Sequence, residues 1–193
     1  MTRFGAVLLA AGSSSRFGAN KLLAPFGGRP LIARAMDRLA ELSLERVAVV
    51  TAYPQVAQLA RTYGFEPVHN VHPEYGQSHS IVLGVQALGD MDALLLLAGD
   101  QPLLTGDSLS QLVRAYAQSG RGIACLQDGT HMGNPALFDR AYFPALCALE
   151  GDRGAKSILR ANESDLLVVA CGREDELSDC DDPQALHMLI EKV

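Results

Sequence analysis

The sequence predicts an α/β protein, a doubly wound and mostly parallel sheet with helices on both faces. Three observations carry this. Apolar runs alternate along the chain with segments whose apolar residues recur at helical spacing. The runs are continuous rather than alternating polar with apolar, which suits strands buried on both faces. The chain has 193 residues, 48% of them hydrophobic, enough for one compact domain with an ample core. No repeat, low-complexity segment or linker divides it, so residues 1–193 are read as one domain.

The first apolar run, Ala6 to Ala11, reads as a short buried strand closed by Gly12. Pro30 to Leu42 follows as a helix, with Pro30 placed in its first turn. Further strands are expected at 47–50, 94–99, 122–126 and 166–170. Between them, Gln55 to Tyr63, Ser78 to Leu88 and Ser108 to Gln118 carry helical spacing, with Gly64 as the stop after Tyr63. A last helix begins at Pro183, capped by Asp181 or Asp182.

Composition narrows the function. The net charge is −6, and no basic run exists that would offer a positive face to nucleic acid. No apolar stretch is long enough for a bilayer, and no leading signal segment is recognisable, so a cytoplasmic protein without a membrane partner is expected. Cys125, Cys147, Cys171 and Cys180 form no CxxC pair and read as reduced, mostly buried thiols. The histidines are scattered, and the loose pair His69 and His72 is not read as a metal site.

The chemistry gathers at the loops. Gly12, Ser13, Ser14, Ser15, Arg16, Gly18 and Lys21 join small residues, whose amides can approach a ligand closely, to two cations. Such a loop after a strand suits a polyphosphate. It is not a P-loop, since Phe17 stands where the second glycine belongs and Leu22 follows Lys21. It is not a dinucleotide fingerprint either, since Ser14 replaces the second glycine. By itself the loop reads equally well as a flexible connection with solvated Arg16 and Lys21. Asp100 ends the run LLLLAG, where ligands of open α/β sheets bind, and a carboxylate beside a polyphosphate suggests Mg²⁺. Alone it also reads as a turn residue capping its own backbone. Ser78 and Ser80, in GQSHSIVLGV (76–85), stand at a helix start either as caps or as ligand contacts. The acidic segment LSDCDDPQAL (177–186) leaves the choice of a second metal ligand open among Asp179, Asp181 and Asp182.

Taken whole, AAGSSSRFGANKLL (10–23) resembles the signature loop of the MobA-like nucleotidyltransferases, and most of all the molybdenum cofactor cytidylyltransferases. The similarity runs from Gly5 to about Leu186. GDQP (99–102) resembles the family's metal-binding GD-x-P, and residues 179–185 resemble its DIDTPED ending, with Cys180, Asp182 and Gln184 departing from it. The resemblance puts the second metal ligand on Asp181. It implies that Ala10, Ala11, Gly12 and Ser13 bind the nucleotide with Gly76, Gln77, Ser78 and Ser80. Arg16, Lys21 and Asp100 become the catalytic set. HMGNPALF (131–138) resembles a GNP-x-LF turn, and EGDRGAKSIL (150–159) a GD-x-GA-[RK] loop, both on the acceptor side. Asn134, Pro135, Arg153 and Lys156 are then acceptor contacts.

The implied activity is transfer of CMP from CTP to the terminal phosphate of molybdopterin cofactor, with release of pyrophosphate and Mg²⁺ as cofactor. A molybdenum hydroxylase or its maturation chaperone would be the partner that receives the product. One alternative is nucleotidyl transfer to methylerythritol phosphate or a sugar phosphate. Another, of a different class, is a non-catalytic molybdenum cofactor carrier, which gives Arg16, Lys21 and Asp100 no reason to coexist.

Overall fold

The computed structural model describes residues 2–12, 17, 20–129 and 131–192. Among these, seven strands form one sheet in the order β5 (Glu66–His69), β4 (Arg46–Thr51), β1 (Phe4–Ala10), β6 (Ala93–Ala98), β8 (Met132–Asp139), β7 (Ile123–Gln127) and β9 (Leu166–Ala170). Six run the same way; β8 runs against both of its neighbours. The register places Leu8 beside Val49 on one side and Leu97 on the other, so β1 lies at the centre of the parallel half.

Alternate residues of the strands serve opposite faces. Leu8, Val49, Leu95 and Leu97 pack on α1 (Ile32–Ala40), α2 (Pro54–Thr62) and α4 (Gly106–Ser119) through residues such as Met36, Val56 and Leu112. Val7, Val50, Leu94 and Leu96 pack on α3 (Gln77–Ala87), α5 (Phe143–Cys147) and α6 (Lys156–Ala161) through Ile81, Val85, Leu146 and Leu159. This is the doubly wound arrangement read from the continuous apolar runs. The stop at Gly64 also holds: its φ is +74°, its N–H donates to Arg61, and the next N–H donates to Ala60. Asp182 caps α7 (Pro183–Ile190), its Oδ1 accepting the Ala185 N–H at 2.8 Å.

Three segments depart from the sequence reading. Pro30 does not open a helix. It pairs with Pro25 in a two-stranded ribbon, β2 (Pro25–Phe26) and β3 (Arg29–Pro30), and α1 starts at Ile32. The cause is Gly27–Gly28, whose φ values of +60° and +80° make the tight turn that antiparallel strands need. Glu66–His69 forms an edge strand whose mixed composition gave no apolar run. HMGNPALF is a strand and not a turn: Ala136, Leu137 and Phe138 are wholly buried between β6 and β7. Proline within a run argues against a central strand. Here Pro135, joined to Asn134 by a cis peptide, lies beyond the last β6–β8 pair, Leu96 with Ala136. On the other side the register shifts between Cys125 and Gln127, so the missing N–H costs the ladder little.

α3 sits unusually close to the sheet. A Cβ at Gly84 would run into Val7 Cγ1, a stiff and fully buried side chain. Gly84→Ala is therefore expected to lower stability by about 1–3 kcal/mol through overpacking, despite alanine's better helix propensity. Urea unfolding measures it; an unchanged or raised midpoint would show that α3 can shift away from β1 at no cost.

Candidate active site

The crevice lies at the carboxyl ends of β1 and β6. Gly99 N–H donates to Leu9 O at 3.1 Å, and Tyr53 Oη donates to Gly12 O at 2.8 Å, which ties the chain leaving β1 to its neighbours. Two adjoining cavities open there, of about 390 and 290 Å³. They share Leu9, Gln77, Ala98 and Asp100 as a dividing wall. The first is bounded by Ala11, Gly12, Lys21, Gly76, Ser80, Asp152 and Asp181, the second by His131, Gly133, Asn134, Lys156, Leu177 and Asp179 among others.

At the junction, Lys21 Nζ donates to Asp100 Oδ2 at 2.7 Å and to Asp181 Oδ1 at 3.2 Å. Asn20 aims the lysine: its Oδ1 accepts the Leu22 N–H and starts a single 3-10 turn over Lys21–Leu23. The Lys21 side chain is only 14% exposed. Burial alone would lower its pKa, but the charges of Asp100 and Asp181 outweigh burial and the net shift is upward. Lys21 is an ammonium ion here.

The acidic segment is held against the end of β6. Cys180 N–H donates to Asp100 O at 2.9 Å, and Gln101 Nε2 donates to Leu177 O and to Asp179 Oδ1. This separates the three aspartates left open above: Asp182 caps a helix, Asp179 faces the second cavity, and Asp181 joins Asp100 on Lys21. Asp179 meets solvent through that cavity but is crowded by surrounding chain. Desolvation, then the charge of Asp100, push its carboxyl up to about 6. Gln101 Oε1 is buried in the same wall without a hydrogen-bond partner.

The donor set suits a divalent cation of one kind. Among the described residues no three His, Cys, Asp or Glu side chains converge as a full cage. Asp100 and Asp181 instead offer two hard carboxylates to one cation, which Lys21 now supplies. Two carboxylates with phosphate oxygens and water completing the shell is the pattern Mg²⁺ favours.

The remaining expected residues divide clearly. Ala11, Gly12, Gly76, Gln77 and Ser80 line the first cavity, while Ala10 is buried at the end of β1. Ser78 does not line either cavity: it is buried, and its N–H donates to Gly151 O at 3.1 Å. Ser80 Oγ accepts from buried Asn70 Nδ2. Gly76 has φ +85°, and a Cβ there would lie 2.5 Å from Gly151 C and O, so the GQSHS and EGDRGA segments meet backbone to backbone. Asn134 and Lys156 line the second cavity, with Asn134 Oδ1 also accepting the Ala98 N–H; Pro135 and Arg153 do not line it. Ser13 and Arg16 lie outside the described residues. Leu9, Gln101, His131 and Asp152 are wall residues that the sequence reading did not single out.

A crevice at a strand-end switch point, with an ammonium and two carboxylates facing its cavity, is where open α/β sheets bind their ligands. Residues 6–166 match the MobA-like NTP transferase domain, and the chain belongs to that family of nucleotidyltransferases. It is 30% identical to the purine catabolism protein PucB of Bacillus subtilis, covering 95% of this chain and 94% of that one. It is 31% identical to a probable molybdenum cofactor guanylyltransferase of Pyrococcus horikoshii, over 63% of this chain and 60% of that protein. A nucleotidyl transferase structure from Methanothermobacter thermautotroptrophicus superposes with a TM-score of 0.86 at 21% identity, covering 100% of this chain and 98% of that one. Among the described residues no helix is long and apolar enough to cross a membrane.

Proposed function

We propose that this nucleotidyltransferase moves CMP from CTP to the terminal phosphate of molybdopterin cofactor, releasing pyrophosphate. The observation that carries the reading is the Lys21–Asp100–Asp181 cluster standing where two cavities meet. One cavity is then the nucleotide side and the other the acceptor side, with the charged cluster at the reacting phosphorus. The Pyrococcus relative, named for nucleotidyl transfer to the same cofactor, supports this acceptor.

The acceptor phosphate oxygen attacks the α-phosphorus in line. A new oxygen–phosphorus bond forms as the bond to the bridging oxygen of the β-phosphate breaks, and its electrons leave with pyrophosphate. No protein nucleophile is required, so catalysis rests on positioning and on charge. Backbone amides at Ala11 and Gly12, with Ser13 and Arg16 beyond them, hold the β- and γ-phosphates. Lys21 places its charge on the α-phosphate as negative charge grows there. Asp100 and Asp181 would hold Mg²⁺, which would supply Lewis-acid charge at the transfer site. Asn134 and Lys156 face the acceptor. Gln77, Ser80 and the chain at Ala10 and Ala11 frame the base, where polar groups left unpaired reject the wrong one. The product would pass to a molybdenum hydroxylase or its chaperone in the cytoplasm. A second reading, transfer of GMP, is favoured by the guanylyltransferase name of the same relative.

Lys21→Ala is expected to lower turnover by roughly 10²-fold or more, the scale of losing one preorganised stabilising group, with a smaller change in CTP affinity. A variant with normal turnover would remove Lys21 from the mechanism. Asp100→Asn keeps the shape but not the charge. Transfer should collapse while the chain still folds and unfolds cooperatively, at a lowered midpoint because Lys21 loses a charged partner, and full activity with Mg²⁺ would place the metal elsewhere. With CTP and GTP competing in one reaction, CMP should be incorporated on the order of 10²-fold or more over GMP. Comparable incorporation would refute the cytidylyl assignment and favour the second reading.

A further inference from the structure

The second cavity holds a pair of side chains outside the machinery above. Asp128 follows β7 directly, and its side chain is fully buried (0% exposed). Oδ1 accepts the His131 backbone N–H at 2.9 Å and lies 3.1 Å from His131 Nδ1; Oδ2 accepts the Leu177 N–H at 2.9 Å. The Asp128 N–H donates back to His131 O at 3.1 Å, so the turn is closed from both ends. A carboxylate facing Nδ1 makes that nitrogen the donor, and Nε2 then donates to an anion only as the second N–H of the imidazolium. His131 belongs to the cavity wall, together with Lys156.

We propose that His131, oriented by Asp128, is a positioning residue that grips the phosphate monoester of the acceptor in the second cavity. The inference rests on the reading of that cavity as the acceptor side. The wall also carries the carboxylates of Asp100 and Asp179, which repel an anion entering beside them. A phosphate there needs donors on its other flank, and His131 and Lys156 are the basic side chains lining it, beside the amides of Gln77, Gln101 and Asn134. The same carboxylate links the two halves of the site. Asp128 Oδ2 holds Leu177, Leu177 O accepts from Gln101 Nε2, and Gln101 also donates to Asp179. The imidazole and the acidic segment carrying Asp181 thus hang from one buried group.

The test uses the full chain, with pyrophosphate release measured while acceptor and nucleotide are varied separately. His131→Ala is expected to raise KM for the acceptor about tenfold, the scale of one hydrogen bond to a charged group, and to move KM for the nucleotide less than twofold. Asp128→Asn turns an amide N–H toward groups that are already donors. It should raise the acceptor KM at least as much, and because Oδ2 also holds Leu177 its effect should persist in part in a chain that already lacks His131. His131→Gln, which keeps a donor, should recover part of the loss. If His131→Ala leaves the acceptor KM unchanged, or raises both KM values alike, the pair is structural and the proposal fails. A second measurement needs no catalysis: inorganic phosphate is titrated into the nucleotide-free protein while the His131 ring proton is followed by NMR. The signal should move in the wild type and much less in Asp128→Asn. A His131 signal unmoved by phosphate overturns the proposal even if the chain transfers nucleotide. A signal that moves, in a chain that transfers nothing to molybdenum cofactor, sinks the functional reading and leaves this inference standing.

Discussion

The Lys21 ammonium meets the carboxylates of Asp100 and Asp181 from segments 79 and 160 residues away, and the crevice takes its form from that meeting. Lys21 and Asp100, with side chains 14% and 20% exposed, could not be taken from water alone without a large desolvation penalty, whereas Asp181 stays largely in solvent. Paired, Lys21 and Asp100 offset it, and the three groups join different parts of the chain: the turn at Lys21–Leu23, the end of β6 and the segment before α7. Removing one partner of such a set leaves the others partly buried and uncompensated, which is more costly than the pair's own net worth. The sheet supplies the rigidity behind this. Leu8 and Leu97, both fully buried, sit side by side in the two strands, so the ends from which the loops leave are held to packing tolerance.

What was legible in the sequence was what local chemistry decides. Continuous apolar runs marked β1, β4, β6 and β7, because strands covered on both faces leave no polar alternation to confuse them, and the same signal marked β9 although it is an edge strand with Val168 exposed. Gly64 was readable as a stop, and the cap as Asp181 or Asp182, of which the structure uses Asp182, because one residue's backbone or side chain fixes each. The edge strand Glu66–His69 and the strand at Met132–Asp139 were not. One is half exposed, and the other carries Asn134 and Pro135 at a place where only its neighbours' register makes a proline tolerable.

The site followed the same division. Lys21 and Asp100 could be named from their loops, Asp181 only through the family resemblance, and the structure brings them within hydrogen-bond distance. Ser78 could not be separated from Ser80 by spacing, since the choice depends on Gly151 lying over the start of α3. Gln101 and Asp128 are invisible as site residues in sequence. Their importance comes from contacts to Leu177 and Asp179, reached across 49 to 78 residues of chain. A signal was nonetheless present: a buried-type position occupied by a carboxylate or amide just after an apolar run asks for partners.

The reversed direction of β8 carries a consequence for how this crevice can change. Strands that run toward the crevice deliver it loops, and loops tolerate insertion and redirection at modest entropic cost. β8 instead begins there. It presents Gly133 and Asn134 from a short irregular stretch held between the Met132–Gln127 pair and the paired residues from Ala136 onward, and the short Asp128–His131 connection is closed by hydrogen bonds at both ends. One side of the site can therefore be remodelled by altering loop length. The other can be retuned only by exchanging side chains on a fixed framework, so diversification within this architecture should follow two different mutational routes on its two flanks.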